Sequence, residues 1–330
     1  MTEPLDQADR EICAALLRNG RASWRLISKV TGIQERTVAR RGARLLEQGI
    51  VRVRGLSQPH LVNRGEGYFA RIRCAPSNLH SVAKWLSHRK ETLWVATLES
   101  DSAIIAECYL RYADRNRFIG RELSEQPITD YSFSYVEQYR RTVRGWHPNI
   151  LNAEQLEMLG EDETRALEAA ARARQGGELN PDQIDTEVVR LLGQDGRLSI
   201  DAIATAVGVG KVTVRKRIAQ MQQTDYLSIR AVIDPALLGF PLESLITIHA
   251  PSPRIDEIAS RLSADWRTRW AAELPTEARV QALMTLESRF ELFDVMRDLD
   301  QKLGGIATRI EASPVLTHYK RSDVVLPAAL

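Results

Sequence analysis

The sequence has little of what marks a secreted, membrane-bound or metal-held protein. Its 330 residues include three cysteines, Cys13, Cys74 and Cys108, odd in number and widely spaced. They form no CxxC pair and no Cys/His cluster, so they read as small buried side chains rather than disulfide partners or metal ligands. None of the six histidines (60, 80, 88, 147, 249 and 318) stands in a metal-ligand spacing or a repeated position. No run of about eighteen apolar residues and no charged-then-apolar amino terminus is present, so neither a membrane span nor a secretory signal is expected. The cytoplasm is the default compartment. Net charge is only +2, so the position of the positive charge matters more than its total.

What is present is a folded-protein composition, 44% apolar and 27% charged, long enough for two or more domains with their own cores. The chain also says the same thing twice. Asp9, Ile12, Leu16, Gly20, Arg21, Ser23, Ile27, Gly32, Thr37, Val38, Arg41 and Trp94 recur as Asp185, Val188, Leu192, Gly196, Arg197, Ser199, Ile203, Gly208, Thr213, Val214, Arg217 and Trp270. The register is too long for a short solenoid repeat and indicates two copies of one module.

Each copy opens on a helical pattern, with Ile12 and Leu16, or Val188 and Leu192, on one buried face. Asp6 and Asp182 stand at the expected N-caps, and Asn180-Pro181 offers a competing start in the second copy. Asn19-Gly20 and Asp195-Gly196 read as stops at which glycine takes the left-handed conformation. Ser23 and Ser199 cap a second short helix, broken by Gly32 and Gly208 before a third begins: a helix-turn-helix pattern. The period then changes to two around Arg52 to Leu56 and Ile229 to Ile233, which suggests a wing strand. The remainder of each copy reads strand, helix, strand, strand, helix, strand.

The expected fold class is therefore α+β, with two winged helix-turn-helix domains and two ferredoxin-like (βαββαβ) regulatory domains in tandem. The expected boundaries are 1–57, 65–144, 179–234 and 242–322, with a helical linker over 145–178. That linker is rich in Ala, Glu and Arg, with Gln175-Gly176-Gly177 closing its helix.

Leu5-Asp6-x-x-Asp9-x-x-Ile12, Asn19-Gly20-Arg21, Gly32-Ile33 and Thr37-Val38-x-Arg40-Arg41, followed by a ferredoxin-like half, resemble the Lrp/AsnC group of feast-or-famine transcription regulators. The second copy matches through Asp195-Gly196-Arg197-Leu198-Ser199, Gly208-Val209, Thr213-Val214-x-Lys216-Arg217 and Asp234-Pro235-x-x-Leu238-Gly239. The resemblance implies binding to double-stranded DNA, a regulatory half that dimerises, and sensing of an amino acid or other small effector, with no cofactor. Two units in one chain imply an intramolecular pseudo-dimer, open to further self-assembly.

Residues 34–54 hold six arginines against Glu35 and Glu47, and residues 210–230 hold five basic residues against Asp225. Each third-helix region thus carries four excess positive charges in a nearly neutral chain. Gln34, Arg36, Thr37, Lys211 and Thr213, near the helix starts, are the candidates for reading base edges. Arg40, Arg41, Arg44, Arg215, Lys216 and Arg217 are expected outward, most of them on phosphates, with Arg52 and Arg54 on the wing. Gly42 stands where the second copy has Ile218, and a helix-interior glycine predicts a looser or bent first head. Because the outward residues differ between copies, the expected operator is asymmetric.

In the resembling family, effectors sit near the turn between the middle two strands. The matching residues are Glu99, Ser100 and Asp101, and Thr276 and Glu277, with the usual glycine missing from both turns. Trp94 and Trp270 read as core or interface residues. Tyr131, Phe133 and Tyr135 alternate on one strand face. Two alternatives stay open. One is an enzyme like the sirohaem decarboxylases, which carry a histidine and a tyrosine shortly after the tryptophan strand; Trp94-Val95-Ala96-Thr97 and Trp270-Ala271-Ala272-Glu273 carry neither. The other is a scaffold with impaired DNA binding. The expectation is a non-enzyme.

Overall fold

The computed structural model describes residues 5–57, 65–143, 146–160, 181–224 and 226–326. They divide into two compact units, Met1–Val62 with Arg144–Gly239, and Asn63–Val143 with Phe240–Leu330. The two heads share the first unit and the two ferredoxin-like halves share the second. No described helix is long and apolar enough to cross a membrane.

In chain order, head one is α1 (Gln7–Arg18), α2 (Trp24–Thr31), α3 (Glu35–Glu47) and β1 (Arg52–Ser57). The first half is β2 (Glu66–Cys74), α4 (Leu79–Ser87), β3 (Thr92–Leu98), β4 (Ala103–Leu110), α5 (Tyr112–Arg115, continuing π-helically through Asn116–Leu123), β5 (Ile128–Tyr135) and β6 (Gln138–Arg141). A short α6 (Ala153–Met158) precedes head two: α7 (Gln183–Gln194), α8 (Ile200–Val207), α9 (Lys211–Gln223) and β7 (Leu227–Val232). The second half is β8 (Leu242–His249), α10 (Ile255–Ala264), β9 (Thr268–Leu274), β10 (Arg279–Leu286), α11 (Arg289–Leu303), β11 (Arg309–Arg321) and β12 (Val324–Val325).

The local signals in the heads hold. Asp6 and Asp182 cap α1 and α7 by accepting from the Asp9 and Asp185 amides. Ser23 and Ser199 do the same for α2 and α8, whose ends Gly32 and Gly208 close in the left-handed region at φ 73° and 70°. Ile12, Leu16, Ile27, Val38 and Leu45 are fully buried in head one, as are Val188, Leu192, Ile203 and Val214 in head two. Each such side chain contributes roughly 1.5–3 kcal/mol.

The wing is different from expectation. β1 and β7 pair antiparallel along their whole lengths, Arg52 opposite Val232 through Ser57 opposite Leu227, and each strand lies on the first helix of the other head. Gly196 donates from its amide to the Val53 carbonyl at 2.9 Å, and Gly20 to that of Ile229 at 3.2 Å. Here lies the reason for both glycines. Neither has a positive φ, so the expected left-handed stop is absent. A Cβ on Gly20 would sit 2.8 Å from Arg230 Cα and Val53 Cγ1, and one on Gly196 would sit 2.8 Å from the Arg54 amide nitrogen. Close approach of the ribbon requires glycine at both places.

The repeated Arg21 and Arg197 clamp this arrangement reciprocally. Arg21 donates to the carbonyls of Gly196 (2.9 Å) and Leu198 (3.1 Å), and Arg197 to those of Gly20 (2.8 Å) and Ala22 (3.2 Å). A guanidinium fork satisfies two carbonyls at fixed geometry, which an ammonium does not. Arg197 also lies over the Trp24 ring, 4.5 Å from its centroid.

Trp24 corrects the reading of Gly42. A Cβ at Gly42 would stand 2.6 Å from the Trp24 indole, so the glycine makes room for a ring and head one is filled rather than loose. Head two has Ile200 and Ile218 at the same two positions. The linker reading is also corrected where it is described. Trp146, Leu151 and Leu159 are buried, Gln155 donates to the Val30 carbonyl at 2.9 Å, and Asn19 to that of Leu159 at 3.0 Å. This stretch belongs to head one. The helix expected through Ala169-Ala170-Ala171, with its stop at 175–177, lies outside the described residues.

In the second unit each half has the expected ferredoxin-like order. One sheet runs β5-β2-β4-β3-β11-β8-β10-β9-β6. The thirteen-residue β11 pairs with β8 over Arg309–Pro314 and then crosses to β3, with His318 opposite Ala96 and Lys320 opposite Val95. β5 and β6 make the same crossing in reverse, β5 on β2 and β6 on β9, where Arg141 faces Ala271. The crossings end in matching contacts: Lys320 donates to the Arg89 and Thr92 carbonyls at 2.9 and 2.8 Å, and Arg141 to those of Ser263 and Asp265 at 3.0 and 2.8 Å.

Two cores lie between helices and sheet. A third, containing Phe69, Leu98, Ile105, Leu245, Trp270 and Leu283 with Trp94 against it, joins the two halves. Phe133 packs on the first half's helix core, while Tyr131 and Tyr135 are exposed. All three cysteines are free and buried, and burial pushes each thiol up.

Two outcomes follow from the heads. Gly42→Ala gains about 1 kcal/mol of helix propensity but overpacks the indole at a cost of about 1–3 kcal/mol, so denaturant unfolding should show a net loss. Adding Trp24→Ile to Gly42→Ile, which copies head two, should recover most of it; a stabilised Gly42→Ala protein overturns the packing account.

The second outcome concerns acid. The Asp9 amide and then Arg41 hold the Asp6 carboxyl below its ordinary 3.8, and the Asp185 amide, with Arg217, does so for Asp182. A depressed folded value stabilises above the unfolded value and is lost as pH falls through the folded one. The deficit of Asp182→Asn against the parent in thermal melts should be constant above about pH 5 and shrink below 3.8. A deficit unchanged down to low pH would mean that the charge contributes nothing.

Candidate nucleic-acid interface and regulatory half

α3 and α9 are the third helices of their heads and the second elements of the helix-turn-helix motifs. Their N-caps, Gln34 and Gly210, provide no side-chain capping bond, which leaves the first-turn amides to solvent or to an anion. Arg36, Arg40, Arg52, Arg215 and Lys216 are exposed and form no ion pair with another described residue. Gln34 and Thr213 are exposed as well, and Thr37 is half-buried. These side chains are available to a duplex.

Other expected contacts are already engaged. Arg41 reaches Asp6 at 2.6 Å and Asp9 at 3.0 Å, and Arg44 also pairs with Asp9. Arg217 reaches Asp182 at 2.8 Å and Asp185 at 2.9 Å. Both heads therefore tie the start of the first helix to the third by one arginine and two aspartates, which explains why those three residues recur. Bound to carboxylates, Arg41 and Arg217 are braces, not outward phosphate contacts as the sequence suggested. Arg54 is likewise turned inward, donating to the Gly193 carbonyl of the other head at 3.2 Å. Lys211 pairs with Asp201 at 2.7 Å, across the turn of its own motif.

Two cations escape a reading confined to the third helices, and one apolar residue escapes a reading confined to polar side chains. Arg25 and Lys29 are exposed on α2, where head two has Asp201 and Thr205. The first helix of such a motif crosses the DNA backbone, so head one offers two more cations for phosphates. The aligned copies carried that signal. Val212, in the first turn of α9, is 77% exposed, where head one has Arg36.

The expected effector turns are occupied from within. Glu99 accepts from Arg289 at 2.6 Å, Asp101 from Arg71 at 2.6 Å, and Glu277 pairs with Arg279 at 2.5 Å. Ser100 donates to Asp101, and Thr276 is exposed. Ala278 takes the left-handed conformation at φ 50°, which in other such turns falls to glycine.

The second unit also holds a small cleft, partly open to solvent, walled by Trp94, Trp270, Glu107, Arg269 and Arg321. Beside it, Glu243 accepts from Arg269 at 2.6 Å and pairs with Arg321, while His318 Nε2 lies 2.7 Å from its carboxylate. Burial pushes Glu243 up, but Arg321, His318 and Arg269 prevail and hold it well below the usual carboxylate range. Burial and then Arg321 lower His318. Its Nδ1 accepts from Trp94 Nε1 at 3.1 Å. His318 on β11 is thereby joined to Trp94 on β3.

The model of the AsnC-type helix-turn-helix domain matches residues 5–46 and 182–222. The HTH-type transcriptional regulator FL11 of Pyrococcus horikoshii is 26% identical over 83 residues, 25% of this chain and 55% of that protein. FL11 of Pyrococcus furiosus is 27% identical over 82 residues, 24% of this chain and 54% of that protein. The chain thus spans about half the length of these curated relatives. An uncharacterized HTH-type transcriptional regulator of Pyrococcus furiosus is 22% identical over 151 residues, 44% of this chain and 97% of that protein. The solved siroheme decarboxylase NirDL shares the fold, with a TM-score of 0.62 over 95% of this chain and 92% of its own at 10% identity. That likeness concerns fold alone. An AsnC-type helix-turn-helix domain thus stands in each of the two heads, and in both copies a ferredoxin-like half follows it, the order on which the resemblance to the Lrp/AsnC group rests.

Proposed function

We propose that this chain is a sequence-specific transcription regulator that binds an asymmetric double-stranded DNA operator through two unlike heads. The observation that carries this reading is the β1–β7 ribbon with its reciprocal Arg21 and Arg197 contacts. It makes the two heads one unit, while their outward residues differ at Arg36 against Val212, Ala39 against Arg215, and Arg44 against Gln220. Unlike surfaces on a joined pair fit unlike half-sites, whereas identical heads fit a palindrome. Arg25, Arg36, Arg40 and Lys29 on head one, and Arg215 and Lys216 on head two, are the cations that we assign to the duplex. The regulatory halves pair within one chain through the crossed strands, so a single chain serves as its own dimer.

The test is binding of the full chain to duplexes recovered from a random pool, measured across salt. Counterion release makes the logarithm of affinity fall linearly with that of salt. Arg40→Ala and Lys216→Ala should each reduce the slope by about one with the melting temperature unchanged. Arg217→Ala should lower the melting temperature and weaken binding only through the loss of folded head. Salt-insensitive binding, or none, sinks the proposal.

A further inference from the structure

We propose that Val212 is a base-reading residue that recognises the C5-methyl group of a thymine, while Arg36 at the same place in head one recognises a guanine. The inference rests on the DNA-binding reading and assigns its two heads different bases.

Val212 is the one large apolar side chain exposed among the described residues of the first unit. It sits in the first turn of α9, where valine is a poorer helix former than the lysine beside it. Within the protein this placement gains nothing: the side chain is 77% exposed, and an outward valine neither caps the helix nor joins an ion pair. Its surroundings are polar, with Lys211 and Thr213 on either side and Arg215 and Lys216 one turn on, all exposed. An apolar spot framed by cations suits the floor of the major groove, where phosphates flank base edges and the thymine methyl is the apolar group on offer.

The register between heads is fixed by Thr37-Val38 and Thr213-Val214, with Val38 and Val214 both fully buried. Residues 36 and 212 therefore occupy one position on their helices. At that position an arginine meets the guanine O6 and N7 acceptors with two donors, and a valine has no donor at all. Lys211, which precedes Val212, is drawn to Asp201 at 2.7 Å and away from competing for the same base. Thymine recognition at one half-site and guanine recognition at the other follow from these two side chains.

The experiment takes the best duplex from the random pool and replaces each thymine singly by deoxyuridine, which lacks only the methyl group. Binding of the full chain is compared with that of Val212→Ser, whose melting temperature checks folding. One thymine in one half-site should cost the parent about fourfold on losing its methyl and cost Val212→Ser nothing. Arg36→Ala should lose at least about fivefold at a guanine of the other half-site and leave the thymine response intact. Equal losses in parent and Val212→Ser at every thymine, or a head-two half-site without a methyl-sensitive thymine, overturn the inference while salt-sensitive binding persists. Absence of salt-sensitive binding in the parent overturns it together with the reading beneath it.

Discussion

Everything in the first unit depends on two backbones approaching closely enough for β1 and β7 to exchange hydrogen bonds across the heads. The approach needs bare Cα atoms at Gly20 and Gly196, because any side chain would meet the opposite strand at about 2.8 Å. It also needs something to satisfy the carbonyls of the turns brought together, and the guanidinium forks of Arg21 and Arg197 do so from each side. Burial lowers both arginines, and for Arg197 the nearness of Arg21 adds to it. Both stay charged nonetheless, since their ordinary value lies far above neutral pH. Glycine and arginine side by side are thus one device: the first admits the neighbour and the second holds it.

The second unit solves a similar problem with strands alone. A ferredoxin-like sheet leaves an edge open, and open edges invite unintended pairing. Each copy lets its last strand run on to cover the other copy's edge, through β11 on β3 and β6 on β9. Between the inner faces, Trp94 and Trp270 occupy equivalent places, yet their partners have diverged. Trp94 donates to His318, whereas Trp270 packs against Tyr139 at 6.1 Å between ring centroids. Where Glu243 stands beneath His318, the other copy has Gly67, and Tyr139 fills the space. A larger side chain on one strand is matched by a smaller one beneath it.

That compensation shows why sequence carried some features and hid others. Helix caps, the glycine breaks at Gly32 and Gly208 and the order of strands are local, and local spacing reveals them. The role of Gly42 is not local. A helix-interior glycine looks like a defect until Trp24, one helix away, is seen to fill its place. Arg41 and Arg217 look like surface cations on their own helices, and only the return of Asp6-Asp9 and Asp182-Asp185 against them shows a brace. The crossing segments Gln138-Tyr139-Arg140-Arg141 and His318-Tyr319-Lys320-Arg321 are too charged to read as buried strand, because Arg140, Arg141 and Lys320 find carboxylates or carbonyls in the opposite half and Arg321 finds Glu243 in its own. The repeat itself held the answer for Gly20-Arg21 and Gly196-Arg197, which recur without an apolar period and touch the other copy.

The crossed strands have one further bearing, on the company this chain keeps. A strand edge left open by one copy can be covered by another chain or by the second copy of its own. Here the partner of β1, of β3 and of β9 is supplied by the same polypeptide. Intramolecular partners compete at high effective concentration against any outsider. Those edges are therefore already covered from within the chain, and each copy is free to change without its twin changing too.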